Sequence, residues 1–260
     1  MRTNSAAASL HGTGYAHCPA DDGDPLMTRK LRLLIVEDEA AIRTGLVDVF
    51  VFHGYEVEAV ADGRSGLMRA RNGRFDLILL DVMLPQMDGF AVCEAIRAED
   101  REQAIIMLTA KAADADIING LRLGADDYVA KPFGVQELVL RVAAVLRRTR
   151  AGAPVNPELV LAPAAIIDVV NLRGMIDGEE VQFTRREIEL LQYLHQCAER
   201  PVSREELLHA VWGYARHLEV ETRTVDIHIA KLRRKIEIDP AQPTRLVTVR
   251  GAGYRLQLEV

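Results

Sequence analysis

Cysteine is scarce in this chain of 260 residues, and long apolar runs are absent from it. The three cysteines are odd in number and too widely scattered to form a metal-binding motif or a disulfide framework, so a reducing cytoplasm fits best. No segment approaches the roughly 18 uninterrupted apolar residues of a membrane-spanning helix, and the first residues lack the apolar core of a secretory signal. We therefore expect a cytoplasmic protein with no membrane partner.

The charge of the chain is unevenly distributed. A net charge of −6 argues against a nucleic-acid partner when the chain is averaged. Residues 223–255, however, contain eight lysines and arginines against three aspartates and glutamates. A basic segment inside an acidic protein indicates a local nucleic-acid-binding surface.

Apolar patterning divides the chain into two domains. Residues 1–29 are small, polar and turn-rich, which predicts a disordered tail, and a translation start at Met27 is a hypothesis. Residues 30–150 alternate short apolar runs with amphipathic segments, a spacing typical of βαβ units. This predicts a doubly wound α/β domain with a five-stranded parallel sheet. The expected strands are 31–36, 55–60, 76–80, 104–109 and 127–130.

A second domain follows a proline-containing segment. Residues 151–163 hold three prolines and are predicted to be the linker. Residues 164–260 begin with short strand-like pieces, continue with helical patterns and end in a hairpin around "RGAG". Two of the helices open with a capping-box pattern, at Thr184 with Glu187 and at Ser203 with Glu206. These features predict an α+β winged-helix domain.

Polar side chains stand at four of the predicted strand ends. Because the carboxyl ends of parallel strands meet at one sheet edge, we expect these side chains to lie together. Three carboxylates held close repel one another unless a cation neutralises them, and an all-oxygen set suits Mg²⁺ better than zinc. With a lysine and a hydroxyl beside the metal, the set suits phosphoryl transfer to an aspartate. The residues are Glu37, Asp38, Asp81, Thr109 and Lys131.

The competing interpretation is that each acid is an ordinary loop residue or helix cap. Asp38, which precedes "EAAIRTGL", is an example of a possible N-cap. The whole set, with each member at its own strand end, favours the phosphoryl-transfer interpretation.

Several motifs resemble a known family. "LLIVEDE", "DLILLDVMLPQMDGF", "MLTAK" and "LGADDYVAKPF" resemble the receiver domain of two-component response regulators. "SREELLHAVWG", "ETRTVDIHIAKLRRKI" and "VTVRGAGYRL" resemble the DNA-binding domain of the OmpR/PhoB-type subfamily. The resemblance covers about residues 31–257. It implies a CheY-like receiver with flavodoxin-like strand order, followed by a winged helix.

The resemblance also implies residue roles in the receiver. Asp81 would accept phosphate from a sensor histidine kinase, and Mg²⁺ would be held by Glu37, Asp38, Asp81 and the backbone carbonyl of Met83. Thr109 and Lys131 would bind the phosphoryl group. Tyr128 would be the aromatic switch, although an ordinary half-buried strand residue is the alternative. The peptide bond before Pro132 would be cis.

Relatives form dimers through the last two helices and the last strand of the receiver. The resemblance places Asp116, Ile117, Asp127, Glu137 and Arg141 on this face. Ile117 departs from relatives, which carry a basic residue there, so one salt bridge is expected to be missing. The isoleucine could instead add apolar contact. We expect a homodimer on phosphorylation.

The basic helix at 222–236 is the expected DNA-recognition helix. Its core stripe is formed by Val225, Ile229, Leu232 and Ile236. Ile227 lies on the opposite, basic face, where it would contact a thymine methyl or pack against its own domain. Ala230 departs from relatives, and Trp212 is assigned to the core or to a loop facing RNA polymerase. The expected DNA-binding residues are Arg223, Thr224, Ile227, His228, Lys231, Arg233, Arg234, Thr248 and Arg250.

Two other functions were weighed. Haloacid-dehalogenase-type phosphatases need a second acid two residues after the nucleophile, where this chain has Met83. A DNA-binding protein that is not phosphorylated is disfavoured by the complete acid, hydroxyl and lysine set. We therefore expect a transcription regulator that is not an enzyme beyond slow self-dephosphorylation. Its partners would be a histidine kinase, promoter DNA and RNA polymerase.

Overall fold

The computed structural model describes residues 29–109, 124–149, 157–213 and 223–258. The first domain is built on a parallel sheet with strand order β2-β1-β3-β4-β5. This is the predicted doubly wound receiver sheet, and each strand agrees with its predicted run to within one residue at either end. The strands are β1 Arg32–Val36, β2 Glu56–Val60, β3 Leu77–Asp81, β4 Ile105–Thr109 and β5 Asp127–Ala130.

Helices cover both faces of this sheet. Strands β3 and β4 are buried along their whole length, because they lie at the centre with apolar clusters on either side. Asp62 and Asp88 begin two of the helices by accepting hydrogen bonds from backbone N–H groups. The helices are α1 Ala40–Phe52, α2 Gly63–Asn72, α3 Gly89–Glu99 and α4 Val135–Thr149.

A glycine allows α3 to start against the end of β3. A Cβ atom at Gly89 would lie 2.0 Å from the carbonyl oxygen of Asp81, which no side chain can tolerate. The loop after Asp81 therefore folds back tightly, with the Gly89 N–H donating to Val82 O at 2.9 Å. This turn fixes the backbone around the carboxylate at the sheet edge.

The second domain has the predicted winged-helix composition. It starts with an antiparallel sheet of order β6-β7-β8-β9 and ends with the hairpin β10-β11. The strands are β6 Glu158–Ala162, β7 Ala165–Asp168, β8 Arg173–Ile176, β9 Glu179–Gln182, β10 Leu246–Val249 and β11 Gly253–Leu256. The helices are α5 Arg185–Gln196, α6 Arg204–Leu207, which continues as a π-helix over Leu208–Trp212, and α7 Arg223–Ile236.

The predicted linker overlaps the first of these strands. Strand β6 occupies residues inside the segment 151–163, so the linker boundary was placed too late. Pro157 and Pro163 flank the strand rather than interrupting it. Leu159 and Leu161 enter the core while Val160 is exposed, and this period of two marks a strand that proline content concealed.

The two predicted capping boxes have different outcomes. Thr184 and Glu187 make both reciprocal hydrogen bonds, as predicted. Ser203 accepts from the backbone N–H of Glu206 at 3.0 Å, but the Glu206 carboxylate is engaged by Tyr193 and Arg200 instead of the cap backbone. The hydrogen bond from the cap backbone to the Glu206 carboxylate, which would complete the box, is therefore replaced by bonds from two side-chain donors.

The two domains pack against each other. The indole Nε1–H of Trp212 donates to the backbone carbonyl of Asp126 at 3.0 Å, and Arg185 pairs with Glu102 at 2.6 Å. Ile227, on α7, joins an apolar cluster whose other members all belong to the receiver. Among the residues that the structure describes, no helix is long and apolar enough to cross a bilayer.

Candidate functional site

Three carboxylates converge at the carboxyl edge of the receiver sheet. Glu37 follows β1 and Asp81 ends β3, and both are buried, whereas Asp38 is exposed. One oxygen from each carboxylate lies within 4.8 Å of the others. Asp38 does not cap α1, since Glu39 occupies the cap position and no side chain makes a capping bond there. The structure therefore brings together the acids that strand-end reasoning selected.

Lys131 is the cation beside these acids. Its Nζ lies 2.7 Å from Glu37 Oε2 and 3.0 Å from Asp81 Oδ2. The loop that carries it follows β5, and its peptide bond with Pro132 is cis, as expected. Burial tends to lower the pKa of Lys131, but its hydrogen bonds to Glu37 and Asp81 raise it above the ordinary value. The ammonium is therefore held in its charged form.

Charge is not balanced at this edge. One lysine faces three carboxylates, and burial, reinforced by the charge of Asp81, raises the pKa of Glu37 despite the bond from Lys131. A cluster of oxygen ligands with surplus negative charge and one exposed member fits a hydrated Mg²⁺ ion. Met83 is exposed, and its N–H lies 3.3 Å from Asp81 Oδ1. Its carbonyl as a ligand stays a prediction.

Thr109 and Tyr128 flank the acids on neighbouring strands. Thr109 ends β4 and is buried, one position beyond Leu108, which pairs with Asp81. Tyr128 pairs with Met107, and both belong to the apolar cluster on one face of the sheet. Because side chains alternate along a strand, Thr109 and Met107 point to the same face. The Thr109 hydroxyl at the sheet edge and the Tyr128 ring behind it thus lie on the same face of the sheet.

The predicted dimer residues form ion pairs within one chain. Arg141 Nη1 lies 2.9 Å from Asp127 Oδ2, and Arg141 Nη2 lies 2.6 Å from Glu137 Oε1. Both Asp127 and Arg141 are buried, and the π-helix of the second domain packs against α4, which carries Arg141. Asp116 and Ile117 lie outside the described residues.

The predicted DNA-binding residues fall into two groups by exposure. Arg234, Thr248 and Arg250 are exposed. Arg233 is half-buried and connects α7 to the β10-β11 hairpin, the wing of this domain, donating to Leu246 O and to Thr248 Oγ1 at 2.8 Å each. The side chain of Arg223 lies outside the described part of the chain.

The second group is covered. Thr224, Ile227, His228 and Lys231 are all buried. The His228 ring meets Trp212 edge-on at 5.1 Å between centroids, and its Nδ1–H donates to Thr224 O at 2.9 Å. Burial, with the charge of nearby Lys231, lowers the pKa of His228 to about 4, so the ring is neutral at pH 7.

Ile227 packs against apolar side chains of the receiver. It is 8% exposed and lies in the cluster that contains Cys93, Ile96 and Tyr128 of the receiver. The contact of Ile227 with a thymine methyl stays a prediction. The face of α7 that carries Ile227 is turned toward the receiver.

Sequence reasoning missed the structural roles of two residues. Asp126 anchors Trp212 through its carbonyl and binds Arg97 at 2.9 Å through its carboxylate. Glu187, recognised only as a cap, also pairs with Lys235 at 2.6 Å. The one sequence feature that pointed to this contact was Trp212, the only tryptophan of the chain. Local patterning, however, does not tell which domain a buried residue will contact.

Comparison with known proteins agrees with this two-domain geometry. The family model for the response regulator receiver domain matches residues 33–143, and the one for the C-terminal domain of transcriptional regulatory proteins matches residues 178–256. The probable transcriptional regulator ycf27 of Guillardia theta is 41% identical over 232 residues, covering 88% of this chain and 91% of that protein. This chain belongs to the OmpR/PhoB-type response regulators.

Other relatives extend the comparison over both domains. The DNA-binding response regulator MtrA of Mycobacterium bovis is 42% identical over 229 residues, covering 88% of this chain and 97% of that protein. A solved structure of a RitR mutant is 28% identical with a TM-score of 0.66, covering 88% of this response regulator and 99% of that chain. As a member of this family, the response regulator partners a histidine kinase, binds DNA and regulates transcription.

Proposed function

We propose that this response regulator accepts a phosphoryl group on Asp81 from a sensor histidine kinase in the cytoplasm. The convergence of Glu37, Asp38, Asp81 and Lys131 at one sheet edge carries the proposal. A carboxylate oxygen of Asp81 attacks phosphorus, the phosphorus–nitrogen bond of the kinase phosphohistidine breaks, and the imidazole leaves. Mg²⁺ held by the three carboxylates and the Met83 carbonyl would neutralise the charge that develops on the transferred oxygens.

Phosphorylation then changes the partners of nearby side chains. The phosphoryl group adds about −1.5 to −2 charges, which attract the Lys131 ammonium away from Glu37. The Thr109 hydroxyl donates to a phosphoryl oxygen, and the Tyr128 ring enters the space that Thr109 leaves. The equilibrium shifts only by the difference between these interactions in the two states.

The second domain would read repeated promoter sites. Helix 222–236 enters the major groove and Arg250 of the wing contacts the minor groove, while exposed basic side chains bind phosphates. Ile227, His228 and Lys231 are covered in the present arrangement, so DNA binding requires the domains to separate. Promoter occupancy would then recruit RNA polymerase.

Dimerisation would drive this separation. A second receiver would pair through Asp116, Ile117, Asp127, Glu137 and Arg141. Asp127 and Arg141 are buried, and the π-helix packs on α4, which carries Arg141, so a second receiver docking on this helix would compete with the π-helix. Phosphorylation, receiver pairing and release of the recognition helix are thereby coupled.

Turnover of external substrates is not part of the proposed function. Met83 stands two residues after the nucleophile, where a phosphatase of the haloacid dehalogenase type needs a general acid, and its thioether cannot donate a proton. Slow self-dephosphorylation of Asp81 is the only hydrolysis expected.

The test is phosphorylation by a small-molecule donor. With acetyl phosphate and Mg²⁺, intact-mass measurement should show one added phosphoryl group, together with dimer formation and tighter DNA binding. Asp81→Asn should lose all three, whereas Asp48→Asn, at an exposed carboxylate on α1, should keep them. Full phosphorylation and activation of Asp81→Asn would disprove the proposal.

A further inference from the structure

A cleft between the two domains is lined by cationic side chains from both. Its volume is about 340 Å³, and Gly124 and Thr184 complete its wall. The receiver contributes Arg97 and Arg101, and the DNA-binding domain contributes Lys231, Arg234 and Lys235. Among the described residues, no carboxylate lines this cleft.

Positive charge exceeds negative charge around the cleft. Asp126 pairs with Arg97 at 2.9 Å, and Glu187 pairs with Lys235 at 2.6 Å and with Lys231 at 3.3 Å. In the parts of the chain that the structure describes, Arg101 and Arg234 have no ion-pair partner. Closing the domains therefore gathers cations that repel one another, which disfavours closure unless a counter-ion is present.

Lys231 is the second indication of a ligand. Its side chain is 9% exposed, and its ammonium makes no hydrogen bond within the described ranges. Its one ion pair, at 3.3 Å, is with Glu187 Oε1, which itself lacks a hydrogen-bond partner. This single ion pair leaves donors of the Lys231 ammonium available, and an anion in the cleft would accept hydrogen bonds from them.

We propose that this cleft binds an anion of the oligophosphate class, which bridges the receiver and the recognition helix. The cavity is large enough for a short phosphate chain. The arginine guanidinium groups can each donate two parallel hydrogen bonds to its oxygens, and the lysine ammonium groups add compact positive charges. The ligand is either a free inorganic oligophosphate or the phosphate chain of a nucleotide. The site is separate from Asp81 and is formed without phosphorylation.

Binding at this cleft would oppose DNA binding. Lys231 and Arg234 are among the proposed DNA contacts, so a chain with the anion bound keeps them engaged against the receiver. Arg97 and Arg101 belong to the receiver and are outside the proposed DNA surface. The ligand thus links the two domains through residues that DNA does not use, which distinguishes it from simple competition.

Calorimetric titration of the unphosphorylated full chain tests the site. Inorganic tripolyphosphate should bind saturably with one site per chain, in buffer whose ionic strength is held constant with sodium chloride. Arg101→Ala should weaken binding by at least about tenfold, because a charge-assisted hydrogen bond contributes roughly that much free energy. Arg74→Ala is the matched control, since Arg74 is exposed and lies in a separate arginine-rich concavity. It should bind like the parent chain.

A parallel titration with ATP identifies the source of the phosphates. Equal affinity for ATP and tripolyphosphate indicates that the phosphate chain alone is read, and a preference for either one assigns the ligand class. Non-saturable binding, or equal weakening by Arg74→Ala and Arg101→Ala, would mean that the anion is attracted to the basic surface without a specific site. Either result would overturn the proposal.

Competition with duplex DNA of random sequence provides the second readout. Tripolyphosphate should weaken DNA binding more in the parent chain than in Arg101→Ala. Equal weakening in both would show that the anion competes at the DNA surface alone, and the bridging site would be rejected. Because no step uses phosphorylation, failure here leaves the proposed role of Asp81 untouched.

Discussion

Shortening Ile227 to alanine should loosen the contact between the receiver and the DNA-binding domain. Ile227 is 8% exposed, and its apolar neighbours belong to the receiver. Replacing a buried isoleucine by alanine costs about 2 to 5 kcal/mol in a protein core. Because this side chain lies at a domain boundary, we expect the lower part of that range. A loss of about 2 to 3 kcal/mol lowers the ratio of closed to open chains roughly 30- to 150-fold.

The only tryptophan of the chain reports this change. Trp212 is fully buried, and its indole N–H binds the receiver at Asp126. Opening should increase quenching of Trp212 fluorescence by acrylamide and should raise the radius of gyration measured by small-angle X-ray scattering. Ile238→Ala is the control, since Ile238 lies just beyond the same helix and is 87% exposed. If Ile227→Ala and Ile238→Ala gave the same quenching and size, the domain contact would not depend on Ile227.

Three further substitutions address the acid cluster and the buried charges. Asp38→Ala should weaken Mg²⁺ binding by about tenfold or more in a calorimetric titration while leaving the metal-free melting temperature unchanged, because Asp38 is exposed. Burial tends to raise the pKa of Glu187, but Lys231 and Lys235 hold it at about 2. The stability this contributes is present above the unfolded pKa of about 4.5 and is lost toward pH 2, so Glu187→Gln should flatten urea-unfolding free energies over that window. Burial lowers the pKa of His228 to about 4 in the folded chain. As the pH falls below about 6.5 the unfolded chain therefore takes up a proton that the folded chain does not, and the free energy of unfolding decreases until about pH 4. His228→Gln should remove that acid-side loss, and an unchanged slope would contradict the assignment.

The receiver could be predicted in detail because its signals are local. The central strands are continuous apolar runs, and each ends at a polar residue. The parallel pairing of the strands then places these polar residues side by side at one edge of the sheet. Glu37 and Asp81 come together for that reason alone. The linker boundary was the local error, since prolines on both sides of Glu158–Ala162 concealed a strand with alternating burial.

The domain contact could not be predicted from patterning. A helical wheel places Ile227 opposite the core stripe of its own domain, and that assignment is correct for the isolated helix. It does not show that the receiver covers the opposite face. Lys231 likewise has the basic character of a DNA contact, yet it pairs with Glu187, a residue that its sequence position marked only as a helix cap.

The chemistry of the domain contact is consistent with the proposal that a single phosphoryl group releases it. Ile227 and Trp212 supply apolar burial and one hydrogen bond, while the pair between Arg185 and Glu102 is substantially exposed and adds little. Cations from both domains meet across the cleft and work against closure. Because these contributions oppose each other, a phosphoryl-driven shift of a few kcal/mol would move the population toward the open state. A purely apolar contact of the same extent, without the opposing cations, would hold α7 more firmly against the receiver.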